Sequence, residues 1–135
     1  MHISATPFGN PYARNRSNIA EVSLGRSGLR VLVESRPKAT GESLGLEIHF
    51  EVARGFRYLD EGDLLAYWQS EAFAQDHCLF EILSGGWLDQ ELQHAGMLTT
   101  TEAVGTFREW FICTSNGCMN VLSADEPLVR IFHDL

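Results

Sequence analysis

The stretch REWFICTSNGCMNVLS, residues 108–123, constrains the fold more than any other part of the chain. Two apolar, β-prone runs flank Asn116-Gly117, the favoured pair for a two-residue type I′ hairpin. A turn at that pair makes Ser115 face Cys118, Thr114 face Met119 and Cys113 face Asn120. Trp110, Ile112, Met119 and Val121 then share one side of the ribbon, which is expected to be the core side. On this register Cys113 and Cys118 lie diagonally across the ribbon, too far apart for an easy bridge.

Other strands follow from period-2 alternation. In LGLEIHFEV, Leu46, Ile48, Phe50 and Val52 alternate with Glu47, His49 and Glu51, giving one dry and one wet face. IAEVSL and LRVLVES put Ala20, Val22 and Leu24, and Leu29, Val31 and Val33, on single faces, with Gly25-Arg26-Ser27-Gly28 as a hairpin loop. CLFEIL and LVRIF read as two more strands, and SRPKATGES as a loop. Asp60 is placed to cap a helix, with Asp63 three residues on and Leu64, Leu65, Trp68 and Ala72 on one stripe. SGGWLDQELQHAGM reads as a glycine turn and a short helix stopped by Gly96, while TTTEAVGTF is β-prone but ambiguous. Strands early, helices mid-chain and strands late predict the α+β class: a single domain over 19–135 with a mostly antiparallel sheet of about six strands and two helices. Residues 1–18, with Pro7, Gly9 and Pro11, predict an irregular N-terminal arm.

At 135 residues the chain suffices for one core burying roughly two thirds of its unfolded surface. No apolar run approaches the roughly 18 residues of a membrane span. MHISATPFGNPYARNRS lacks a basic region followed by an apolar one, so no signal peptide is expected and the cytoplasm is the expected location. Three cysteines do not make a disulfide framework. The net charge is -8, and its distribution is uneven. Residues 1–57 hold eight Lys and Arg against five acids; residues 58–135 hold only Arg108 and Arg130 against thirteen. Between Tyr58 and Phe107 nine carboxylates occur with no Lys or Arg. Such polarity disfavours nucleic acid and attracts cationic partners, although solvated helix faces would produce the same composition.

No catalytic or metal-binding motif is present. The five histidines form no ligand spacing, and no phosphate-binding glycine loop or nucleophile elbow occurs, so neither a cofactor nor a metal is expected. Gly85-Gly86 precedes a helix, but Asp89 and Glu91 would repel an anion there. The row Glu47-His49-Glu51 could orient an imidazole for acid–base work or hold a cation, and a solvated sheet face is its plainer reading.

Three segments carry a resemblance: YLDEGDLLAYW, SGGWLDQEL, and WFICTSNGCMNVLS running into DEPLVRIF. Across about the last eighty residues the chain resembles, in overall style, the immunity proteins that bacteria encode beside polymorphic or contact-delivered toxins. The resemblance implies a binding protein with no catalysis, held tightly and stoichiometrically to one cognate toxin domain and covering its active site. The partner would be basic, met by Asp60, Glu61, Asp63, Glu71, Asp76, Asp89 and Glu91, with Tyr67 and Trp87 as aromatic anchors. The alternative is a small-ligand-binding or catalytic α+β domain using the Glu47-His49-Glu51 face.

Overall fold

The computed structural model describes residues 2–9, 13–35 and 43–133. Among them are nine strands: β1 (Ser4–Pro7), β2 (Ser17–Gly25), β3 (Gly28–Ser35), β4 (Leu44–Phe50), β5 (Gly55–Leu59), β6 (Leu79–Ser84), β7 (Arg108–Cys113), β8 (Cys118–Ser123) and β9 (Leu128–Phe132). Three short α-helices join them: α1 (Leu65–Trp68), α2 (Trp87–Leu92) and α3 (Thr99–Val104). The strands form two sheets, ordered β1-β6-β7-β8-β5 and β2-β3-β4-β9, and every pairing is antiparallel. The expected single sheet of about six strands is therefore two sheets, and no helix among the described residues reaches seven residues. Part of the loop expected over SRPKATGES lies outside the described residues.

The alternation in β3 and β4 is used as the sequence implies. Leu29, Val31, Val33, Leu46, Ile48 and Phe50 are fully buried on the inner face of the four-stranded sheet. They pack against Leu79, Trp110, Ile112, Met119 and Val121 of the five-stranded sheet. The expected core side of the β7–β8 ribbon is thus the inter-sheet core. Its other side is buried as well: Phe80, Ile82, Phe111, Cys113 and Cys118 are covered by Ile3, Leu64, Tyr67 and Phe73. The order is sheet, sheet, helical cover, and the central strands have no solvated face.

The hairpin register differs from the expected one. Cys113 pairs with Cys118 and Ile112 with Met119, so the turn residues are Ser115-Asn116 with Gly117 after them. Thr114 N donates to the Gly117 carbonyl at 3.0 Å. Neither Ser115 nor Asn116 has positive φ, so this is not a type I′ turn, and glycine stands at the fourth position that type I turns favour. Moving the turn centre by one residue slips the pairing by two, which preserves which side chains share a face. The slip also places Cys113 directly opposite Cys118 instead of diagonally. All three cysteines are free and buried, and burial raises their thiols, Cys78 and Cys118 to about 12, so they are protonated and inert.

Three further segments depart from expectation. Ser4–Pro7, inside the expected irregular arm, is strand β1, paired with β6. The expected helix from Asp60 to Ala72 is instead a 3₁₀ turn at Glu61–Asp63, then α1, then a 3₁₀ turn at Glu71–Phe73. Asp60 does cap, accepting from Gly62 N at 2.8 Å. Ser70 restarts the chain by accepting from Ala72 N, while its hydroxyl donates to the Ile3 carbonyl. Leu65 consequently points to solvent, 67 % exposed. The ambiguous TTTEAVGTF forms α3, entered through Leu98 at a left-handed φ of 56°.

Gly28 closes the β2–β3 hairpin at φ +108°, and a Cβ there would overlap the carbonyl oxygens of Phe50 and Glu51. Gly28→Ala is expected to cost about 2–3 kcal/mol, read as a lowered urea midpoint. Gly25→Ala, across the same turn with nothing within 4 Å of the added carbon, is expected to change stability by less than about 0.5 kcal/mol.

Candidate functional site

The acidic segment after β5 folds into short turns, and those turns wall an open groove of about 610 Å³. Glu61, Gly62, Trp68, Gln69, Glu71 and Ala74 supply one side, and Arg14 and Asn15 supply the other. The Trp68 ring is held from behind by Phe73 and Phe111, at centroid distances of 6.0 and 5.9 Å, and by its Nε1–H bond to the Glu61 carbonyl at 2.7 Å. Asn15 N donates to Asp76 Oδ1 at 2.9 Å, tying the basic N-terminal part of the chain to the end of the acidic segment.

Ion pairing leaves this acid uncompensated. Of the two arginines in residues 58–135, Arg108 is engaged by Glu81 at 2.7 Å and Glu126 at 3.7 Å, and Arg130 by Glu47 at 3.6 Å. Among the described residues, Asp60, Glu61, Asp63, Glu71, Asp76, Asp89 and Glu91 make no ion pair with Lys, Arg or His. Asp60, Asp89 and Glu91 accept local hydrogen bonds, the last two from Gly85 N at 2.7 Å and Trp87 Nε1 at 3.1 Å, and Asp76 accepts from the distant Asn15 N. Glu61, Asp63 and Glu71 are exposed.

The nine residues singled out in the sequence do not form one patch. Glu61 and Glu71 meet in the groove; Trp87, Asp89 and Glu91 lie on α2 and line no part of it. The Trp87 ring lies under Arg57, whose guanidinium carbon is 5.1 Å from the ring centroid. Tyr67 is not available as a surface anchor, since it is 2 % exposed and its ring stacks on Phe73 and Phe111.

The Tyr67 hydroxyl belongs to a buried network absent from the sequence reading. It donates to Glu109 Oε2 at 2.9 Å and accepts from Trp87 N at 2.9 Å and Asn120 Nδ2 at 2.9 Å. Asn120 Nδ2 also donates to Glu109 Oε2 at 2.7 Å, and Leu88 N donates to Glu109 Oε1 at 2.8 Å. Arg57 Nε donates to Asn120 Oδ1 at 2.8 Å. The Tyr67 hydroxyl and Glu109 therefore bind the first two amides of α2, Trp87 N and Leu88 N, in place of a capping side chain. Burial raises both the Glu109 carboxyl and the Tyr67 phenol above their ordinary values. The sequence signal was available: Glu109, Phe111 and Asn120 share one side of the ribbon in the expected register as well as in the observed one.

The Glu47-His49-Glu51 row is dispersed. Glu47 pairs with Arg130, the His49 ring meets the Ser27 carbonyl in the β2–β3 turn, and Glu51 lies past the end of β4. The hollow on that face, about 160 Å³, is lined by Glu21, Ser23, Arg30, Leu32 and Glu47, without His49. No group of three His, Cys, Asp or Glu among the described residues is arranged to hold a metal ion, and no helix among them is long and apolar enough to cross a membrane. Comparisons with protein families, curated proteins and solved structures gave no match to this chain.

Tyr67→Phe removes an acceptor from Trp87 N and a donor from Glu109 inside a dry site. A loss of about 1–3 kcal/mol is expected in urea unfolding, with the fold retained. Glu109 also gives stability a pH dependence. Its folded pKa lies above the ordinary 4.5, so the folded chain holds the proton more tightly than the unfolded one. That contribution is complete below the unfolded value and is lost as pH rises through the folded one. In denaturation curves taken across this range, wild type is expected to lose ground to Glu109→Gln steadily as pH increases.

Proposed function

We propose that this chain is an acidic binding protein that neutralises a basic protein partner, a cognate bacterial toxin domain, by tight stoichiometric contact through its acidic surface, without catalysis of its own. What carries the reading is the uncompensated charge: of the eight carboxylates between residues 60 and 91, Glu81 pairs with Arg108 and the other seven make no ion pair with a basic side chain among the described residues, while Arg130 is taken by Glu47. Leaving such acid unpaired does nothing for stability, since surface pairs contribute little and like charges repel. It does suit association. A basic cleft approaching this face is steered by the field, and rates of roughly 10⁸ M⁻¹s⁻¹ become accessible at low salt. The groove between Arg14 and Trp68 offers a concave, partly apolar centre within that field, as an interface core needs.

Affinity capture of the tagged chain from its host at low and high salt is expected to return a single basic protein in equimolar amount. Glu61→Lys with Asp63→Lys alters two exposed side chains outside any ion pair among the described residues, so the fold is expected to persist. Association with the captured partner should slow by about an order of magnitude, with a flatter salt dependence. An unchanged on-rate would exclude this face as the contact.

A further inference from the structure

The groove already holds a cation supplied by the chain itself. The backbone of Arg14 is pinned, its carbonyl accepting from Ser17 N at 3.2 Å, Ser17 Oγ at 2.8 Å and Ser115 Oγ at 3.2 Å. Its side chain lies over Trp68, the guanidinium carbon 5.3 Å from the ring centroid, and Nη1 donates to the Phe73 carbonyl at 3.0 Å. Glu61 and Glu71 line the same groove, yet Arg14 forms an ion pair with neither. The guanidinium is thus held by an aromatic face, a carbonyl acceptor and the Cys113 thiol, while the two carboxylates that line the same groove have no basic partner among the described residues.

We infer that this groove is an arginine-recognition site and that Arg14 fills it in cis as a placeholder, displaced when an arginine of the partner enters. The inference rests on the reading of the chain as a binder of a basic protein and names the side chain that the groove selects. A guanidinium fits because it is planar and weakly hydrated: it stacks on indole and donates in a fork to carboxylates, whereas the lysine ammonium is a hydrated point charge. An arginine arriving from outside can approach Glu61 or Glu71 from the open side and make the charge-assisted bonds that Arg14 does not. Displacement needs only rotation of the Arg14 side chain, because its main chain stays held by Ser17 and Ser115. Occupancy in cis weakens every competitor by the fraction of time the seat is filled, and cations with little to gain from stacking are excluded first.

The test uses the full chain and two probes, an arginine-only and a lysine-only peptide of equal length, followed by titration calorimetry and by the Trp68 indole N–H resonance. The arginine peptide is expected to bind more tightly and to shift that resonance. Arg14→Gln keeps a donor for the Phe73 carbonyl and removes the stacked cation; it is expected to tighten arginine-peptide binding about three- to fivefold. Arg14→Lys, which keeps the charge without the planar stack, should tighten it less, and Glu61→Gln with Glu71→Gln should weaken it. Equal binding of the two peptides, an unmoved Trp68 resonance, or an affinity unchanged or lowered by Arg14→Gln would overturn the assignment. The two readings separate cleanly. A basic partner slowed by charge reversal but indifferent to Arg14→Gln leaves the binding function standing and removes the arginine seat. Peptide results as expected with no basic partner captured do the reverse.

Discussion

A single buried carboxylate holds the cover of this protein to its sheets. Glu109 on β7 is 2 % exposed and accepts bonds from three elements: Tyr67 of α1, Leu88 N of α2 and Asn120 of β8. Taking a carboxylate out of water is costly, and the donors around Glu109 offset part of that cost while burial still holds its pKa above the ordinary value. The donors are positioned by chain segments far apart in sequence, so the helical layer can sit in one place only. No buried side-chain nitrogen or oxygen among the described residues lacks a partner. A network satisfied to that degree specifies an arrangement, whereas apolar packing of short turns alone would tolerate several.

This explains how helices of four to six residues persist at all. Isolated segments of that length do not form stable helices in water, because nucleation outweighs the few bonds gained. Here α1 is fixed by Tyr67 below and by Trp68 against Phe73 and Phe111, and the amides of α2 end on Glu109 and Tyr67. The groove wall inherits that rigidity. Trp68 presents its face to Arg14 because its back lies on the same aromatic cluster that covers the five-stranded sheet.

Charge is arranged on this frame with little regard for stability. Arg108 and Arg130 pair with acids of the sheets, outside the acidic segment of the cover. The carboxylates of the cover either accept bonds from nearby amides or remain open to solvent.

By itself the sequence determined the antiparallel α+β class, the inward faces of β3 and β4, the Asp60 cap, and which side of the β7–β8 ribbon meets the other sheet. Each follows from period-2 alternation or local hydrogen bonding, which neighbours in the chain decide. Tertiary structure decided the rest. The ribbon turns at Ser115-Asn116 because the Asn116 side chain is drawn to the backbone of Ile19 and Thr114 Oγ1 bonds the Gly117 carbonyl, and no local rule weighs a partner almost a hundred residues away. Ser4–Pro7 becomes a strand because β6 offers an edge to it, and Leu98 takes a left-handed conformation that sequence rules reserve for glycine and asparagine. The division into two sheets, the burial of Tyr67 and the meeting of Arg14 with Trp68 are contacts across long separations, whose free energy exists only once the chain has closed on itself.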